Sequence, residues 1–576
     1  MARTQHRVDR FRGTRCRVVA GAGVLLCAVC HDGRSVVRAQ TIPNDASPTC
    51  TVPAATFSSW FQSGTPALNG VVKPADSLNF PNVPNCSFYQ WSKQMFLWLT
   101  SPAPAVYGGG SRIFDSPTFY DVSPPGAGGQ RTLKKHKPGI FDFLNVRATK
   151  PGPHMLPIIF DREGRMFELQ PPKLGPTGKP VILDRAGKEV EVARLSVEGK
   201  KVTFFDAGGK PIVEPRLAPF RAESVEKKTN PGGPVLAQKF VVEGKSIFVG
   251  AGGNVIDTEE GEADSSVLES QTHSLVYYTI LVNDVYAYFL TGAKDGAITP
   301  GPTKFPTTPP ELAKIKAFAS AHGTTFPDPN ALAVEVKTAW VETAKLAHPD
   351  HYITVKAVVP KYNTSNPNKW VPTGKKTVTL ALVSVHIVGS AAGHPEMIWS
   401  TFEHTDDTPN ASFQYNSATG LKTVGQSTAG KWLFSATGST GPFNQAHMTF
   451  DDTTGDILSV SPFHISPSDT LRKFPWGMPG TDAVSNTQVI SIHDSVATQM
   501  PSGDVRKHYF MLGATWTPFG APPTGGNGVG TNQLANTALE TYAQGTNCFS
   551  CHLGNMLGDP SGDGLSHIYG LIKPLF

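Results

Sequence analysis

The chain has 576 residues, 39% hydrophobic and 9% aromatic, with 56 Gly and 49 Pro. That composition suits a folded, turn-rich protein and excludes long solvated helices and acidic disordered tails. The formal charge of +5 is local: residues 1–39 hold eight Arg and two Asp, leaving 43 basic and 44 acidic residues, a net of −1, in the rest. A near-neutral body has no general attraction to nucleic acid or to an anionic membrane surface.

Residues 1–39 read as a secretory signal peptide. An Arg-rich start is followed by the apolar run 18–30, and Val37 and Ala39 occupy the −3 and −1 positions of a cleavage before Gln40. Thirteen apolar residues are too few to span a bilayer, and no later segment is long and apolar enough, so no transmembrane segment is expected in the mature chain. The expected location is the bacterial periplasm. A Cys-x-x-Cys-His order at Cys27, Cys30 and His31 lies inside the signal's apolar core and is discarded with it. Four cysteines remain, and an oxidising compartment favours a disulfide between Cys50 and Cys86, the alternative being two unpaired buried thiols.

The body is assigned to 40–519. Within it, 87–102 places Phe88, Trp91, Met95, Trp98 and Leu99 at helical spacing and ends at Pro102, which predicts an amphipathic helix whose stripe is core. Residues 163–257 read as a β-hairpin insertion: 178–188, 199–210 and 244–254 each pair a β-rich run with a Gly-containing turn. Residues 272–292 are strongly β-prone, and helices are expected over 310–322 and 330–347. Strands are expected at 352–359, 376–389, 397–404, 431–436, 446–450, 487–493 and 506–516. Together these give a β-rich α+β fold with a large antiparallel, sandwich-like body.

Within 379–407, two strands flank a Gly-Pro-containing connection. A hairpin centred near Pro395 would set His386 directly opposite His404, as a metal-binding pair or as a hydrogen-bonded pair within the sheet. His348, Asp350 and His351 fall in a predicted loop and read as a solvated turn. Residues 520–530, rich in Gly and Pro, read as a flexible linker to a tail, 531–576. Residues 532–545 place Leu534, Ala535, Ala538, Leu539 and Tyr542 on one stripe, predicting a short helix stopped by Gly545.

That helix would deliver the chain into Cys548, Cys551 and His552, a Cys-x-x-Cys-His order 24 residues from the end. Two cysteines three apart can each form a thioether to a vinyl group on one edge of a porphyrin, and the next histidine then lies under the iron. A Cys548–Cys551 disulfide or a zinc site is the alternative chemistry, though zinc lacks a second matching cysteine pair. On these residues and the preceding helix, the last 45 or so residues resemble the c-type cytochromes and the tails of uncharacterised exported bacterial proteins ending in a haem motif. The resemblance implies one covalently attached haem c, with Cys548 and Cys551 as the thioether residues and His552 as the proximal iron ligand. Small cytochromes carry a ligating methionine tens of residues after the motif. Here Met556, four residues on, is too close to reach the opposite haem face.

The sixth iron position then falls to His567, to His404 or His386 from the body, or stays open. A filled position implies electron transfer with a redox partner protein or a small electron donor or acceptor. An open one implies a peroxidase- or oxygenase-like oxidoreductase. A third alternative is a ligand-binding or structural protein with a sensory or stabilising haem. No His-Glu-x-x-His pair, phosphate-binding loop, dinucleotide fingerprint or nucleophile-elbow serine is present.

Overall fold

The computed structural model describes residues 42–81, 85–124, 131–141, 146, 158–160, 166–169, 173, 175–177, 179–198, 201–218, 235–242, 245–256, 266–299, 304–451, 454–460, 462–523, 526–542, 544–545, 547–552, 565–566, 568–569 and 572–576. Residues 1–39, read as a signal, with Cys27, Cys30 and His31, lie outside them, as do Met556 and His567. In chain order the main elements are α1 (Ala54–Trp60), α2 (Cys86–Leu99), β1 (Phe119–Val122), β2 (Leu133–Lys135), a group of short insertion strands, β3 (Tyr277–Asn283), α3 (Asp284–Lys294), α4 (Pro309–Ala321), β4 (Val334–Glu342), β5 (Thr354–Asn363), β6 (Lys369–Ala391), β7 (His394–His404), α5 (Ala483–Gln499), β8 (Tyr509–Trp516), β9 (Val529–Gly530) and α6 (Cys548–Cys551).

A large antiparallel sheet dominates, so the molecule is β-rich α+β. Its central order is β2-β1-β3-β4-β6-β7-β8-β9, with β5 pairing the outer half of β6. Strand alternation sends successive side chains to opposite faces. Leu281, Val336, Val385, Ile387, Ile398 and Phe402 enter a core shared with α1, α2 and α5. Val282, Val388 and Trp399 enter another, shared with α3, α4 and the C-terminal residues Phe549, Leu565, Ile568 and Ile572. The faces of this sheet are thus covered by helices and by the C-terminal chain. The packing of α2 is aromatic: Phe88 stacks on Trp516 at 3.8 Å and Phe96 on Phe402 at 4.5 Å.

Helices α2 and α4 and strands β5 to β8 lie where the sequence predicts them, within a few residues at most boundaries. Five segments differ. The β-prone run 272–292 is a strand only to Asn283. There the Asn283 side chain accepts the Tyr286 N–H at 3.0 Å, and Asp284 follows in the first turn, so the chain starts α3. Residues 330–347, expected as a helix, contain strand β4. Its alternation of Val334, Val336, Thr338 and Trp340 with Glu335, Lys337 and Ala339 has a period of two. Residues 487–493, expected as a strand, lie inside α5, which Asp482 caps by accepting the Ser485 N–H at 3.0 Å. Residues 431–436 form bends, with Leu433 N–H donating to Asp406 O at 2.8 Å. The 532–545 stripe is buried but forms turns, because Asn536 Oδ1 takes the Ala538 N–H at 2.9 Å and Glu403 takes the Thr537 N–H at 2.6 Å.

The 520–530 segment, read as a linker, contributes β9, which pairs with β8 through Thr515–Gly530 and Trp516–Val529. Residues Arg38–Phe576 form one compact unit. Close approach holds the tail there: a Cβ on Gly513 would lie 1.8 Å from Thr531 Oγ1.

In 163–257 the three similar segments each supply a strand and a matching turn, with Gly187, Gly209 and Gly253 at φ of +80°, +76° and +76°. Each glycine's N–H donates to the carbonyl three residues earlier. Among the described residues no helix is long and apolar enough to cross a membrane.

Cys50 and Cys86 are bonded, with Cα atoms 5.4 Å apart and a sequence separation of 36. Replacing both by Ala is expected to lower stability by about 3–4 kcal/mol from loop closure alone. Urea titration of oxidised protein checks this; an unchanged midpoint would refute it.

Candidate functional site

The hairpin of β6 and β7 turns at Ala392–Gly393, with Ala391 paired to His394 and Gly393 at φ +78°. A two-residue Ala-Gly loop closes more tightly than one centred on Pro395. The register therefore sets His386 opposite Thr401, not opposite His404. The slip from the expected pairing is an odd number of residues, so the two imidazoles part to opposite faces.

His404 is wholly buried. Its Nε2–H donates to His351 O at 3.1 Å, its Nδ1 accepts the Asp406 N–H at 3.2 Å, and its ring stacks on Tyr352 at 3.8 Å. Burial first, then the neighbouring His508 and His351, holds its pKa well below the ordinary imidazole range. It is a neutral, fully engaged histidine.

His386 faces a cavity of about 900 Å³, counting the space open to solvent at its mouth, together with Cys548 and His552. Trp399, Val388 and Ile568 form apolar wall. Polar groups converge from elsewhere. His386 Nε2 lies 2.6 Å from Glu540 Oε2 and its Nδ1 2.6 Å from Thr401 Oγ1. Thr401 donates its own hydrogen to Leu534 O at 3.1 Å, so toward His386 it accepts. Both ring nitrogens therefore meet accepting oxygens. Glu540, buried, also accepts the Asn536 N–H at 2.9 Å and faces Lys337 Nζ at 3.4 Å.

Arg131 and Glu335 complete the polar wall. Ser566 Oγ donates to Glu335 at 2.6 Å and accepts from Tyr286 OH at 2.8 Å. Burial pushes the Glu335 carboxyl up to about 7, against the opposing Ser566 hydrogen bond.

The motif begins on α6, a single turn, and His552 continues it by donating its N–H to Cys548 O at 2.9 Å. His552 Nδ1 sits 2.7 Å from Leu565 O. A carbonyl only accepts, so Nδ1 carries the hydrogen; in the neutral ring that is the tautomer of an iron-ligating histidine. The ring packs 4.2 Å from Trp399, and Phe549 is buried beside that indole. Cys548, half-buried, borders the same cavity. The Cys551 side chain lies outside the described residues. A porphyrin carried by this motif would meet apolar wall at Trp399 and Val388, and Arg131 and Lys337 also line the cavity.

Cys548, His552 and His386 thus share one cavity, and His404 is placed elsewhere. The sequence reading missed Glu540, Glu335, Lys337 and Arg131; Glu335 and Lys337 at least stood out as charges in an apolar run. No known protein family, curated protein or solved structure matches the chain.

The raised Glu335 pKa has a definite sign. Between pH 4.5 and about 7 the unfolded chain loses a proton that the folded one keeps, so stability falls as pH rises through that window. Glu335→Gln is expected to be increasingly more stable than wild type across the window, with a constant difference above it. Urea midpoints against pH measure this; a difference independent of pH would contradict it.

Proposed function

We propose that this is an exported, single-haem c-type protein that transfers electrons, with the haem joined to Cys548 and Cys551 and ligated by His552. The export signal in 1–39, the Cys50–Cys86 disulfide and the near-neutral body are in keeping with a periplasmic setting. The observation that carries the proposal is the orientation of His552, with Nδ1–H committed to Leu565 O beside a cavity that Cys548 also borders. Haem supplies the one-electron chemistry. The chain supplies covalent attachment, a fixed imidazole, and apolar wall around Trp399 that excludes water. Its electrons pass to or from a partner protein or a small donor or acceptor.

His386 favours a second function, a peroxidase- or oxygenase-like oxidoreductase with an open iron position. With both nitrogens held by Glu540 and Thr401, His386 offers the iron no lone pair as it stands. Beside an open iron position the pair would instead place a buried carboxylate, hydrogen-bonded to an imidazole, near a small ligand.

The absorption spectrum of protein matured in a host that attaches haem c separates these. Electron transfer predicts a low-spin spectrum unchanged by cyanide or carbon monoxide; a high-spin spectrum that shifts on their addition would overturn it in favour of the oxidoreductase. Replacing Cys548 and Cys551 by Ala is expected to abolish covalent haem while leaving the folded body. Haem retained covalently in that variant would refute the attachment site.

A further inference from the structure

A second group of metal-ligand residues lies away from the cavity. His348, Asp350 and His351 occupy one 3₁₀ turn, Pro349–His351 and its preceding residue. One ligand atom from each lies within 4.8 Å of the others. His351 Nε2 is 4.0 Å from Asp350 Oδ2. The His351 ring is 4.9 Å from that of His348 and 4.1 Å from that of His508, which ends a separate short turn, Val505–His508.

We propose that His348, Asp350 and His351, with His508 beside them, bind one divalent first-row transition ion of the zinc or copper type. Imidazole and carboxylate donors select such ions, whereas calcium and magnesium require more oxygen ligands. Donors around a tetrahedral ion, each about 2.0–2.1 Å from it, stand about 3.3 Å apart. The side chains therefore close by an ångström or so, within rotamer reach because His348 and Asp350 are exposed and His351 is half-buried.

Their backbone is already fixed. His351 N–H donates to His348 O at 3.1 Å, and buried His404 holds His351 O from below. Tyr352, next in the chain, stacks on that same His404 ring. The His508 carbonyl accepts the Thr405 N–H at 2.9 Å, which ties the second turn to the first through the end of β7. Ordering entropy is thus already spent, which favours capture of an ion by the side chains. Trp399 and His404 are five residues apart on β7, about 17 Å along an extended strand, so this site and the cavity are separate.

The test titrates the full chain, haem-loaded, with Zn²⁺ by calorimetry and with Co²⁺ by visible absorption, in wild type, in the His348→Ala/His351→Ala double variant, in Asp350→Asn and in His508→Ala. Wild type is expected to bind one more equivalent of Zn²⁺ than the double variant. It is also expected to show tetrahedral-type Co²⁺ bands that the double variant lacks, and to gain thermal stability with Zn²⁺ that the double variant does not. Asp350→Asn and His508→Ala are each expected to weaken binding about tenfold or more. The haem spectrum should be identical in all variants. Equal stoichiometry in wild type and the double variant would overturn the site. Unchanged affinity in His508→Ala would overturn the four-residue assignment.

Discussion

The register between β6 and β7 is the constraint on which the rest depends. It turns Trp399, Thr401 and Glu403 to one face and Ile398 and Phe402 to the other. The first three grip the C-terminal chain in succession. Trp399 packs on His552, Thr401 donates to Leu534 O, and Glu403 accepts both the backbone N–H and the hydroxyl of Thr537. A slip of one residue would exchange the faces, burying Glu403 among the aromatic residues of α2 and leaving the tail without a seat. The buried Glu403 carboxylate is offset by Arg472, whose Nε donates to it at 2.6 Å while the guanidinium lies 4.6 Å from the Phe510 ring centre. A charge buried this way is tolerated only when paired and hydrogen-bonded. That ties the tail, β7 and the segment before α5 to one ion pair.

The cavity beside His552 is built jointly by the tail and the sheet. The tail supplies Cys548, His552 and Ile568, while the sheet supplies Val388, Trp399 and the polar group around His386 and Glu540. The chain ends tied down as well: Lys294 on α3 donates to the carbonyls of Tyr569 and Ile572 at 2.5 and 2.6 Å.

Local chemistry was legible in the sequence where it was uncontested. The aromatic stripe of α2 and the apolar spacing of α4 specify helices by themselves, and the Gly turns of 163–257 specify hairpins. It misled where one residue type serves two structures. The Asn283–Asp284 pair hides a cap inside a β-prone run, and the Asp482 cap makes a helix of a β-prone one. Asn536 and Thr537 divert a helical stripe into turns by binding backbone and Glu403. The motif at Cys548 to His552 was visible because its residues are adjacent in sequence. The contact between His386 and Glu540 was not, because 154 residues separate them and only the fold joins them.

The most direct test is the position of iron in a crystal of protein matured in a host able to attach haem c, located by anomalous scattering. One iron bound to Nε2 of His552, inside the cavity walled by Trp399 and His386, is the predicted result. No iron, or iron outside that cavity with His552 still packed on Trp399, would contradict the account.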